Sequence, residues 1–168
     1  QPFTDALALY AMELIRDSLV DLYHGSEEKE KWEKITIAST IGGMVINQAG
    51  VTLAHGMEHP ASGLKDIVHG QGLAALTPAI MEASYKGDLY KFGKISQILG
   101  GTDASDCAEQ VKALLTKLDM NLTLSDLGLT QEDIPWMAEN CMKVSAASVA
   151  NNPVVFTQEE IADIYKKA

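Results

Sequence analysis

The apolar positions of this chain predict helices and nothing else. Nowhere does a strand-like alternation run beyond four residues, whereas three- and four-residue spacing recurs from end to end. Leu7, Leu14 and Leu22 mark a first apolar face, capped by Thr4 and running to about Tyr23, where His24 and Gly25 supply the stop. From Ser26 a charged turn of Glu27, Glu28 and Glu30 leads into Trp32, Ile35, Thr36, Ser39, Gly43 and Ile46, whose many small residues allow close helix packing. Beyond Gly50, the breakers Pro60 and Gly63 predict a short helix over 52–59, a loop, and a new helix opening near His69 and Gly70.

Further helices are predicted over 71–85, 88–99, 103–118, 131–148 and 157–167. Pro78 is expected to bend the first of these, and Thr157-x-x-Glu160 forms a capping box at the last. The segment "LTLSDLGLTQEDIPWM" reads as a loop that ends where Thr130 caps the next helix, with Pro135 in the first turn. The fold class is therefore all-α, a multi-helix bundle.

Composition narrows the partners. A chain of 168 residues fits one domain over 1–168 with a sizeable core, and 46% hydrophobic against 21% charged residues is too apolar for disorder. The net charge of −10 is spread along the chain, and no Lys/Arg cluster is present to neutralise phosphates, so nucleic acid is not an expected partner. The weakly charged stretch from Ile35 to Met57 is interrupted by Thr, Ser, Asn, Gln and Gly residues and does not resemble a membrane span. Cys107 and Cys141 lack disulfide or thiolate-zinc spacing, which fits a reducing cytoplasm. The opening "QPFTDALALYAMELI" begins at a helix start without an initiator Met, as though cut from something longer.

The candidate chemistry lies in "LAHGMEHPASGLKDIVHG", which holds three of the four histidines. His24, the fourth, reads as a helix C-terminal residue that complements the dipole. His55 and His59 share a helix face, and His69 follows a Gly-containing loop that can fold back on them. Imidazoles are favoured transition-metal ligands, and Gly56, Gly63 and Gly70 permit close backbone approach. Satisfied, buried histidines are the plainer alternative. A third reading takes His55-x-x-Glu58-His59 as an inverted-zincin peptidase motif, with Glu58 activating water and Glu132 or Glu139 as third ligand. It leaves His69 unexplained.

The longer segment "AHGMEHPASGLKDIVHGQGLAALTPAIMEA" resembles the histidine signature of the iron-containing, group III alcohol dehydrogenases. "PFTDALALYAMELI", "LGLTQEDIPWMAENCM" and "NNPVVFTQEEIADIYKKA" resemble other segments of the same family, so the likeness covers essentially the whole chain. The resemblance implies the dehydroquinate synthase-like C-terminal helical domain of that family. It implies a metal, Fe²⁺ or Zn²⁺, held by one aspartate and three histidines, of which His55 and His69 would be two.

His59 would face the nicotinamide of NAD or NADP as the catalytic and cofactor-binding histidine, with Glu58 a neighbour of the site. Glu58→Gln would then abolish a peptidase while leaving the metal affinity of a full-length dehydrogenase largely intact. The substrate would be a small alcohol or aldehyde. The other two ligands, an Asp-x-x-x-His pair, and the dinucleotide-binding domain would lie upstream as the partner half of a homo-oligomeric protein, and the present chain alone would be inactive. Val68, Ala61-Ser62 and Val154 depart from the common pattern, and Met57 and Leu64 are candidate substrate-pocket residues.

Overall fold

The computed structural model describes residues 1–168 as ten α-helices and two 3₁₀ turns, without a strand. The helices are α1 (Pro2–Arg16), α2 (Leu19–Tyr23), α3 (Lys29–Ala49), α4 (Leu53–Lys65), α5 (His69–Ser84), α6 (Leu89–Leu99), α7 (Cys107–Lys117), α8 (Ile134–Val144), α9 (Ala146–Ala150) and α10 (Gln158–Lys167). The all-α reading holds, with boundary corrections that have local causes.

The expected first helix is two. Gln1, not Thr4, is its cap: the Gln1 side-chain oxygen accepts the Phe3 N–H at 2.8 Å, and Pro2 sits in the first turn, where a missing N–H costs nothing. Thr4 is instead buried, its hydroxyl donating to the Gln1 carbonyl at 3.1 Å. α2 does end at His24 and Gly25. The helix expected over 131–148 is likewise split at Ser145, and Thr130 does not cap it. The Thr130 N–H and hydroxyl both donate to Asp133, which precedes α8, and Pro135 takes the first turn as expected. At α10 the capping box forms as read, with Thr157 N–H on Glu160 at 2.8 Å and Glu160 N–H on the Thr157 hydroxyl at 3.3 Å.

The correction that matters most concerns α4. No loop follows His59: the helix continues through Pro60 and Gly63 to Lys65. Pro60 forfeits one intrahelical hydrogen bond. Leu53, Met57, Pro60 and Ala61, at helical spacing, are nevertheless all buried, so a continuous α4 gains more from packing than a break at the proline would save. The chain turns later, at Asp66, whose left-handed backbone (φ 53°, ψ 40°) closes α4 with its N–H on the Ser62 carbonyl at 2.8 Å. His69 then opens α5, which runs unbroken through Pro78.

The main core joins α4, α5, α8 and α10 through Leu53, Met57, Leu76, Met137, Cys141 and Ile161. A smaller cluster pairs α1 with α3 through Ala11, Leu14 and Ala38, and a third joins α6 to α7 through Phe92 and Cys107. α10 is tied to the histidine helix directly, the buried Tyr165 hydroxyl donating to the Met57 carbonyl at 2.5 Å. Burial raises the Tyr165 pKa, which keeps the phenol protonated as donor. Tyr165→Phe is expected to lower the unfolding free energy by roughly 1–2 kcal/mol. The measurement is a fall in the urea midpoint at unchanged slope.

Candidate metal centre

α4 turns one face to the core and its histidines to the other side. His55 and His59 lie one helical turn apart with ring centroids 6.0 Å from each other. The Asp66 turn brings His69 back onto them, its ring centroid 5.3 Å from that of His55 and 5.9 Å from that of His59. Three imidazoles from two helices therefore converge on one place. His55 is partly buried, whereas His59 and His69 are exposed, so the cluster opens to solvent on one side. Burial, and then the neighbouring His69 and His59, depress the His55 pKa, favouring the neutral imidazole that a metal requires.

Glu58 is the buried floor of the cluster, with no exposed surface. Its Oε2 lies 2.5 Å from His69 Nδ1, and the Ser62 hydroxyl donates to its Oε1. The packing around it depends on Gly72. A Cβ there would meet Glu58 Cγ at 2.9 Å, Glu58 Oε1 at 3.0 Å and Ile67 Cδ1 at 3.0 Å.

Glu58, His59 and His69 each offer an atom within 4.8 Å of the others, a grouping of three metal-capable side chains. Glu58 is wholly buried and each of its oxygens already has a partner, Ser62 or His69, whereas the imidazoles reach the open side of the cluster and are the more accessible donors. Among these, His55 and His69 are the closest pair by ring centroid. The donor chemistry fits a divalent transition metal: three imidazoles, one of them bonded through Nδ1 to a buried carboxyl group.

The peptidase reading does not survive this geometry. A general base must reach a water, yet Glu58 is fully buried with both oxygens engaged, and neither Glu132 nor Glu139 joins the cluster. Glu58 is also more than a neighbour, because it holds one of the histidines, so Glu58→Gln no longer separates the two readings by metal content. Of the substrate-pocket candidates, Met57 is wholly buried in the main core and lines no open site, while Leu64 is exposed on the last turn of α4. Ser62 is the residue that donates to Glu58. Glu58 and Ser62 are four apart on one helix, a pairing legible in sequence once α4 is carried across Pro60.

The family model for the C-terminal part of the Fe-containing alcohol dehydrogenases matches residues 1–168. The chain belongs to that family. Among relatives of this Fe-containing alcohol dehydrogenase domain, the 1,3-propanediol dehydrogenase of Klebsiella pneumoniae is 33% identical over 175 residues, covering 99% of this chain and 45% of the relative. Alcohol dehydrogenase 4 of Saccharomyces cerevisiae is 34% identical over 172 residues, with 99% and 44% covered. An archaeal halo-thermophilic alcohol dehydrogenase from a Red Sea brine pool is a similar solved structure, with a TM-score of 0.90 at 32% identity over 99% of this chain and 44% of that one. The chain thus spans less than half the length of the relatives it matches.

Proposed function

We propose that this chain is the C-terminal helical half of a metal-dependent, NAD(P)-linked alcohol dehydrogenase or aldehyde reductase. In this reading His55 and His69 are two of four metal ligands, an upstream Asp-x-x-x-His pair supplies the others, and the dinucleotide sits mainly on the N-terminal half. The observation that carries it is the convergence of three imidazoles, one of which a buried glutamate orients, in a chain of this family.

The metal, Fe²⁺ or Zn²⁺, would supply a Lewis acid at the oxygen of a small alcohol or aldehyde. The chain's own residues would do the rest. His55, whose pKa burial lowers toward the neutral form, and His69, with its Nδ1 bonded to Glu58, would each keep a lone pair for ligation. His59, exposed on the same face of α4, is placed to contact substrate and nicotinamide and to carry a proton between the reacting oxygen and solvent. The solvent-open side of the cluster is where the upstream half would close it. Relatives named for propanediol and lactaldehyde support a small, polar alcohol or aldehyde as substrate class. The two buried free thiols, their pKa values pushed up to about 11 by burial, suit a reducing cytoplasm.

Metal removal tests this reading. In the full-length protein, chelation is expected to abolish NAD(P)-linked oxidation of a small alcohol, and Fe²⁺ or Zn²⁺ to restore it. Undiminished turnover after chelation, at verified loss of metal, would refute it.

A further inference from the structure

We propose that Glu58 is a positioning residue for the metal centre, which fixes the tautomer and orientation of His69 from beneath, and that Ser62 and Gly72 exist in this arrangement to hold Glu58 in place. The proposal rests on the metal-site reading above and assigns Glu58, Ser62 and Gly72 a part in it.

Three observations carry it. First, Glu58 is wholly buried at a place where a carboxyl group is expensive unless its oxygens are bonded, and the chain gives them two partners, Ser62 and His69. Second, the bonding pattern gives the pair a natural direction. The Ser62 hydroxyl donates to one oxygen, and an ionised Glu58 accepts at the other from His69 Nδ1, which then carries the proton; this is the tautomer the proposal assigns. Nε2 is then the only lone pair His69 can offer. A histidine at the first position of α5, half exposed and with no other partner for its ring, would otherwise be free to take either tautomer and several rotamers.

Third, the space is arranged for it. Gly72 lies three residues after His69 in α5, and any side chain there would displace the Glu58 methylene and carboxyl groups. Ser62 lies one turn after Glu58 in α4 and has a second acceptor, the Ile67 carbonyl at 3.4 Å. Its hydroxyl can therefore redirect if the group at 58 changes.

The experiment uses the full-length protein carrying Glu58→Leu, Glu58→Gln, Gly72→Ala or Ser62→Ala, with His69→Ala as reference. Zn²⁺ affinity is measured by competition with a chromogenic chelator. The His69 tautomer is read from ¹⁵N chemical shifts of the metal-free protein. Glu58→Leu is expected to weaken Zn²⁺ binding about ten- to a hundredfold. It should also release the Nδ1–H tautomer. Glu58→Gln keeps an acceptor oxygen while Ser62 turns to Ile67, so it should lose less. Gly72→Ala, which leaves Glu58 in the chain but pushes it aside, should fall between the two.

Wild-type Zn²⁺ affinity in Glu58→Leu and Gly72→Ala, with His69→Ala impaired, would overturn the positioning role and leave the metal site standing. Wild-type affinity in His69→Ala itself would remove both. Should Glu58→Leu fail to fold, Gly72→Ala and Glu58→Gln decide: loss of stability without loss of Zn²⁺ affinity in both would make Glu58 a structural residue only.

Discussion

His69→Ala in the full-length protein is expected to lose its metal and with it about a thousandfold or more of NAD(P)-linked alcohol oxidation, since Lewis-acid stabilisation is worth several kcal/mol and each 1.4 kcal/mol is a decade in rate. His55→Ala should lose metal and activity to the same degree. The two variants should differ in the stability of the metal-free protein. His69 is the only nitrogen donor to a fully buried glutamate, so its removal leaves Glu58 with Ser62 alone. Stranding one buried acceptor costs roughly 1–3 kcal/mol. His55 has no such partner, and its replacement removes a partly buried ring that is already disposed to be neutral. Metal content, steady-state kinetics with NAD⁺ and NADP⁺, and urea unfolding of the metal-free proteins together decide this. A His69→Ala protein with full metal occupancy would mean that the ligands lie elsewhere.

How far the sequence carried depends on whether the deciding contacts are local. The α10 capping box was readable because Thr157 and Glu160 are three residues apart and satisfy each other without help. The cluster of His55, His59 and His69 was readable from its helical spacing and its resemblance to a family signature, and the three rings do meet. Breakers misled where tertiary packing outweighed them. Pro60 predicts a stop by itself, but the apolar face of α4 is buried from Leu53 to Ala61, and that burial carries the helix across the proline. The turn consequently lies at Asp66 rather than over Pro60 to Gly63. This one shift is what placed Glu58 and Ser62 on the same helical surface.

α3 shows a different limit. Its periodicity announced an apolar, small-residue face, yet only Ala38 is buried there, and Trp32, Ile37, Met44 and Ile46 remain exposed. A hydrophobic pattern states that a face is apolar without stating what covers it. The peptidase motif misled for a related reason. Five residues gave the right donors at the right spacing, but the role of Glu58 is set by His69, eleven residues away across a turn.

His59→Ala, in contrast to the His55 and His69 variants, is expected to keep its metal while kcat falls about a hundredfold or more, the usual range for a general acid–base group being 10²–10⁴. The geometry separates it from the other two. His59 is exposed and has neither the partial burial of His55 nor the carboxyl contact of His69. Its ring lies 5.9 Å from that of His69 between centroids, and the Glu58 contact is made by His69 and not by His59. A solvent-facing imidazole with no carboxyl partner suits proton exchange better than ligation, which rewards a fixed lone pair.

The decisive readouts are metal content and the pH profile of kcat, measured together. Preserved metal with a flattened profile supports proton transfer at His59. Preserved metal with an unchanged profile and a raised KM would reduce it to a substrate contact. Loss of metal would make His59 a ligand alongside His69, the alternative that the 4.8 Å grouping of Glu58, His59 and His69 keeps in view, and would then leave His55 as the histidine facing the chemistry.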